Sequence, residues 1–177
     1  MKYSEFRRWL AKQGAKFEAA KGSHFEVTLN GKSGDWRNSL KYPIDLQLDT
    51  NGQYLVTFPD IPEAATAADT KDEALAMAVD ALESALDFYF DDKRLVPPPS
   101  RVKRGQAFVD LPATVAAKAM LHNEMLATGI KKAELARRMK MAAPNVERIF
   151  HAKHGTKFET LEAAFAALGK KIEISVR

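Results

Sequence analysis

The chain has 177 residues, 46% hydrophobic and 28% charged, a balance that permits one large or two small globular units and excludes a disordered chain. It has no cysteine, which removes disulfides, thiolate nucleophiles and cysteine-ligated zinc and fits a reducing compartment. The net charge of +4 conceals a segregated distribution: residues 1–41 sum to +5, 42–100 to −9, 101–111 to +2 and 112–177 to +6. An acidic block of that size suits a cationic protein partner, and a basic tail suits a polyanion. The opening residues mix Lys2, Glu5, Arg7 and Arg8 with single apolar positions, and no run approaches signal-peptide or transmembrane length. A cytoplasmic protein without membrane contact is therefore expected.

Ser4 reads as a helix N-cap, Phe6, Trp9 and Leu10 share one helical face, and Gly14 stands where that helix should end. Residues 16–20 form a possible short strand. Over 23–29 the alternation is clearer, with Phe25, Val27 and Leu29 on one side and His24, Glu26 and Thr28 on the other. Asn30-Gly31 announces a hairpin turn, yet Gly34, Asp35, Arg37 and Asn38 follow it and no convincing return strand is expected.

Next, Tyr42, Ile44, Leu46 and Leu48 face one side of a strand, and Asn51-Gly52 turns the chain into Tyr54, Val56 and Phe58. Pro59 and Pro62 break the pattern, and 63–68 offers a third short strand. Thr70 and Glu73 make a capping box for a long helix in which Leu75, Val79, Leu82, Leu86 and Tyr89 form the apolar stripe. Asp72, Asp80, Glu83 and Asp87 lie off that stripe. The helix ends near Asp91-Asp92, Pro97-Pro98-Pro99-Ser100 reads as an exposed loop, and 106–111 supplies another strand. The expected unit is α+β, a small antiparallel sheet with a long covering helix.

Pro112 then opens an all-α region. Val115, Ala119, Leu121, Met125 and Leu126 mark a first helix closed by Gly129; 131–140 is a second, 143 or 144 to 151 a third, and 156–168 a fourth behind a Thr156–Glu159 capping box. After Gly169, Ile172, Ile174 and Val176 alternate as a short terminal strand. The spacing within 132–150 is that of a helix-turn-helix. Leu135 and Ala136 pack the first helix, and Val146, Ile149 and Phe150 bury the inner face of the second. Ala143, Asn145, Glu147 and Arg148 fall near the start of the recognition helix, where such an element meets base edges. Arg148 suits guanine and Asn145 adenine, while Lys132, Arg137, Lys153 and Lys157 suit phosphates. The turn of such motifs commonly has Gly where Lys140 stands, so a left-handed Lys140 is expected. The competing reading is a four-helix packing unit with a solvated basic surface. His122 reads as a surface or satisfied core histidine; His151 and His154 suit a phosphate contact or a solvated loop, with no partner to complete a metal site.

Four stretches carry a resemblance: Tyr42-Pro43-Ile44, Phe58-Pro59-Asp60-Ile61-Pro62-Glu63-Ala64, Asp87-Phe88-Tyr89-Phe90-Asp91-Asp92 and Glu134-Leu135-Ala136-Arg137-Arg138. Together they make residues 41–177 resemble HicB antitoxins with a helix-turn-helix tail. The resemblance implies a degenerate ribonuclease-H-like domain at 41–111 that masks a HicA-type toxin, and an operator-binding domain at 112–177 that represses the protein's own operon. Tyr3-Ser4-Glu5-Phe6-Arg7-Arg8-Trp9-Leu10 and Lys21-Gly22-Ser23-His24-Phe25 make residues 1–33 resemble the first half of a HicA toxin. In that family the His of Gly-Ser-His is catalytic, which assigns mRNA cleavage to His24. An imidazole titrating near neutrality could move the proton of a 2′-hydroxyl. The alternative is an ordinary strand histidine in a truncated segment, 1–40, too small to bury a full sheet face. The expected partners are thus a HicA-type toxin and operator DNA, bound by a homodimer or higher homo-oligomer, with no cofactor and no metal. Ribonuclease activity of a self-contained HicA–HicB fusion is the competing reading.

Overall fold

A computed structural model describes residues 40–172, together with the backbones of three strands before them: β1 (Lys16–Ala19), β2 (Phe25–Leu29) and β3 (Lys32–Ser33). His24, the helix expected after Ser4 and the terminal strand beyond Ile172 lie outside the described residues. The fold is α+β, with small antiparallel sheets and several helices. No helix among the described residues is long and apolar enough to cross a membrane.

The sequence offers no convincing return strand after β2. A return strand does follow: β3 pairs with β2, Thr28 opposite Ser33 and Leu29 opposite Lys32. Two residues suffice because ladder hydrogen bonds between backbones need no apolar alternation on the returning strand.

The segment from Tyr42 to Leu48 forms two strands rather than one. β4 (Lys41–Pro43) pairs with β8 (Phe108–Asp110), whereas β5 (Asp45–Leu48) pairs with β6 (Tyr54–Thr57), which in turn pairs with β7 (Ala65–Ala68). The switch falls at Ile44, whose N–H still donates to Ala107 on the β8 side, at 3.0 Å. Tyr42 and Ile44 are buried as their spacing requires, but Leu48 is 63% exposed at the hairpin end. That turn is organised by Asp49, whose Oδ1 accepts from the backbone N–H groups of Asn51 (2.8 Å) and Gln53 (2.9 Å). Gly52 takes the left-handed conformation there, with φ +83°.

Two successive turns explain the prolines. Ile61 N–H donates to Phe58 O (3.2 Å) and Ala64 N–H to Ile61 O (2.9 Å), placing Pro59 and Pro62 at the second position of each turn, where a fixed φ is favourable. Phe58, Ile61 and Ala64 are buried as a result. The triple-proline stretch is not an exposed loop: Pro99 is buried, the Tyr42 hydroxyl donates to Pro97 O at 2.7 Å, and Asp60 Oδ2 accepts from Ser100 N–H at 2.8 Å.

The long helix α1 (Lys71–Asp91) starts at the expected cap, where Thr70 Oγ1 donates to Glu73 Oε2 (2.9 Å) and accepts from Glu73 N–H (3.3 Å). Its buried face differs from the expected stripe in the first half. Ala74 and Ala78 are sealed there while Leu75 and Val79 are half-buried; Leu82, Leu86 and Tyr89 are buried as read, joined by Ala85 and Phe90. Small residues allow a closer approach at that point, which a count of large apolar positions misses.

The chain divides into two compact units. Among the described residues, one contains those up to Ala85 with Pro97–Pro112, the other Leu86–Val96 with the carboxy-terminal helices α2 (Ala113–Thr128), α3 (Lys132–Met139), α4 (Ala143–Ile149) and α5 (Phe158–Ala167). In the second unit Phe90 packs its ring 5.0 Å from His122 and 6.3 Å from Phe150, and Asn123 brackets Val96, accepting from its N–H and donating to its carbonyl. The capping box expected at Thr156 does not form. Lys157 is the N-cap of α5, without a side-chain cap bond, and Thr156 Oγ1 instead reaches His154 O at 3.4 Å.

Truncating Leu82 to Ala should cost about 2–5 kcal/mol, because it opens a cavity in a closed core, whereas Leu48→Ala should stay within about 0.5 kcal/mol. Urea denaturation of the two variants measures the difference.

Candidate nucleic-acid interface

The helix-turn-helix forms where the spacing places it. Leu135 and Ala136 of α3 and Val146 and Ile149 of α4 are buried, as is Phe150 at the end of α4. Leu161, Ala164 and Leu168 seal the neighbouring α5. The turn is made by Lys140 at φ 52°, ψ 39°, with Lys140 N–H bonded to Arg137 O (3.1 Å) and Met141 N–H to Ala136 O (2.9 Å). This pair of bonds satisfies two of the carbonyls that end α3. The expected left-handed lysine is therefore present.

On the outer side Ala143, Asn145, Glu147 and Arg148 of α4 are all exposed. The side chains of Asn145 and Arg148 have no hydrogen-bond or ionic partner among the described residues. Two other predicted contacts meet each other instead: Lys132 Nζ lies 2.6 Å from Glu147 Oε2 and 5.1 Å from the centre of the Phe150 ring. That pair joins α3 to α4 across the turn. Arg137 is exposed and pairs with Glu134, which also accepts from Arg138 Nε at 3.0 Å. The Arg138 bond, seconded by the charge of Arg137, holds the Glu134 carboxyl below its ordinary value. Arg138 further donates to Ala167 O at 3.1 Å, capping the last turn of α5. It is a structural cation, although its sequence position suggests a surface charge. Lys153 and Lys157 are exposed on the segment joining α4 to α5.

Among the described residues, two buried polar side chains belong to this unit. His122 is 4% exposed, and its Nε2 lies 2.8 Å from Arg94 O, so it is a satisfied core histidine. Burial pushes its pKa down; the Arg94 carbonyl opposes that effect and the charge of Lys132 adds to it. Lys118, the other, had no signal in the sequence beyond its place among apolar neighbours on α2. It is 1% exposed and donates to three backbone carbonyls just beyond α4.

Comparison with known proteins identifies relatives of this chain. The family described as HicB_like antitoxin of bacterial toxin-antitoxin system matches residues 41–120. The chain is 48% identical over 136 residues to antitoxin HicB 2 of Photorhabdus laumondii subsp. laumondii, covering 77% of this chain and 96% of that one. It is 40% identical over 135 residues to antitoxin HicB of Escherichia coli, covering 76% and 98% respectively. A stretch of 33 residues, 19% of this chain, is 73% identical to a probable mRNA interferase HicA of Pseudomonas fluorescens and covers 55% of that protein. The protein is thus an antitoxin of a bacterial toxin–antitoxin system. It belongs to the HicB antitoxin family.

Two stability effects follow from the site. A left-handed non-glycine residue costs about 1–2 kcal/mol, and glycine gives back about 0.5–1 kcal/mol in chain entropy; Lys140→Gly should therefore stabilise by roughly 0.5–1 kcal/mol in urea denaturation. For His122, a folded-state pKa below the unfolded one means that the unfolded chain binds the proton first as pH falls. Its contribution is intact above about pH 6.5 and is lost below that, toward the folded-state value. His122→Gln should accordingly show a shallower loss of urea midpoint than the wild type between about pH 7 and pH 5.

Proposed function

We propose that this chain neutralises a HicA-type mRNA interferase and represses its own operon, with residues 41–111 masking the toxin and 112–177 binding operator DNA. The observation that carries the DNA half is the pairing of sealed and displayed residues on one short helix. Val146 and Ile149 are buried while Ala143, Asn145 and Arg148 face solvent. In this reading Arg148 takes guanine, Asn145 adenine, and Ala143 an apolar base edge. Arg137, Lys153 and Lys157 take phosphates. Lys132 and Glu147, bonded to each other, serve chiefly to hold the two helices in register. Two half-sites on an operator call for a homodimer. The toxin half is supported by the net charge of −9 on residues 42–100, which complements the cationic surface that an enzyme acting on mRNA requires.

The 33-residue similarity to a HicA protein favours a second reading, in which His24 cleaves RNA within this same chain. It covers little more than half of that protein, and a half domain closes no full sheet face. Purified full-length protein is accordingly expected to leave mRNA intact; cleavage that His24→Ala abolishes would reverse this assignment.

Fluorescence anisotropy with a duplex taken from the DNA upstream of the gene tests the main proposal. Arg148→Ala should weaken binding to that duplex by about 5- to 150-fold, the equivalent of about 1–3 kcal/mol for a bidentate base contact, and weaken a scrambled duplex far less. Lys157→Ala should weaken both alike and lower the salt slope by about one. Binding that ignores Arg148 would remove α4 as the reading element. Co-purification with a HicA-type toxin, disrupted at high salt, checks the masking role.

A further inference from the structure

Lys118 sits in the middle of α2, and its ammonium donates to the carbonyls of His151 (2.7 Å), Ala152 (3.1 Å) and His154 (2.5 Å). An ammonium has three protons to donate and no acceptor, so three carbonyls match its capacity. From the other direction, Asp87 Oδ1 on α1 accepts from Ala152 N–H at 2.7 Å. Ala152, itself buried, is thus gripped through both of its backbone polar groups, by a carboxylate on one helix and an ammonium on another. Burying a charge is costly unless it is fully hydrogen-bonded, and an apolar side chain would fill the same space without that cost. What the lysine adds is a fixed backbone. The segment it fixes joins α4 to α5, belongs to no helix or strand, and displays His151, Lys153, His154 and Lys157 on its outer side. Lys153 stands between two residues whose carbonyls are pinned.

We infer that Lys118 and Asp87 are positioning residues for a phosphate-contact loop: they order residues 151–154 beforehand, so that Lys153 meets the backbone of duplex DNA without an ordering cost at binding. This rests on the operator-binding reading above. Preordering a contact segment strengthens binding by removing the entropy otherwise lost on association. Neither residue touches the duplex.

The test is a potassium chloride series on full-length protein, read by fluorescence anisotropy with the upstream duplex. Lys118→Met should lower the salt slope by about one, as one lost phosphate contact does. Lys153→Ala should produce the same change, and the double variant should be no worse than either alone. Lys118→Arg, which keeps donors for the carbonyls, should restore the slope. Asp87→Ala attacks the clasp from the other side and should reproduce the loss, whereas Asp87→Asn retains an acceptor oxygen and should not. Circular dichroism melts establish which variants fold, and if Lys118→Met does not, the two Asp87 variants decide. Folded Lys118→Met or Asp87→Ala with the wild-type slope overturns the inference and leaves the operator reading standing. A wild-type protein that fails to bind at any salt concentration overturns both.

Discussion

The carboxy-terminal unit depends on the burial of one aromatic ring. Phe150 ends α4 and meets Phe90 from α1, His122 from α2 and the Lys132 ammonium from α3. A ring of that size in a closed site fixes the direction of the helix that carries it, because alternative packings would leave a void. The displayed face of α4 is set by what its other face must bury. Asn145 and Arg148 are aimed outward for the same reason that Val146, Ile149 and Phe150 are aimed inward.

Charge in this protein is segregated along the chain, and within the basic tail it is divided again by pairing. Glu134 engages Arg137 and Arg138, and Glu147 engages Lys132. Exposed ion pairs contribute little to stability, and a polyanion competes with them for the cations they hold. Arg138 is occupied twice, by Glu134 and by the end of α5. Arg148 is not occupied among the described residues. A tally of basic residues treats the two alike.

Much of the molecule was legible beforehand where a local rule operates alone. The capping box at Thr70, the left-handed Lys140, a strand within 63–68 and the inner faces of α3 and α4 all follow from spacing and turn chemistry. Failures came where distant groups intervened. Thr156 and Glu159 carry the same capping pattern as Thr70 and Glu73, yet α5 begins a residue later, in a segment whose carbonyls are drawn toward Lys118. Pro97-Pro98-Pro99 looks like a solvated linker until the Tyr42 hydroxyl and the Asp60 carboxylate, distant in sequence, are seen to hold it. Ala74 and Ala78 replaced Leu75 and Val79 as the sealed positions of α1 because closeness of approach, rather than side-chain size, decided that face.

By itself the amino-acid order determined the α+β class, the order of the helices from 70 to 168, the helix-turn-helix and the alternation of basic and acidic blocks. Those features arise from backbone propensity and from apolar periodicity, both of which act over a few residues. Only the tertiary structure decided that Lys118 is buried beneath the segment after α4, that Asp87 grips the same peptide, and that Lys132 meets Glu147. Those outcomes depend on hydrogen bonds between groups 15 to 65 positions apart, and no local pattern records which distant carbonyl or carboxylate a side chain will meet.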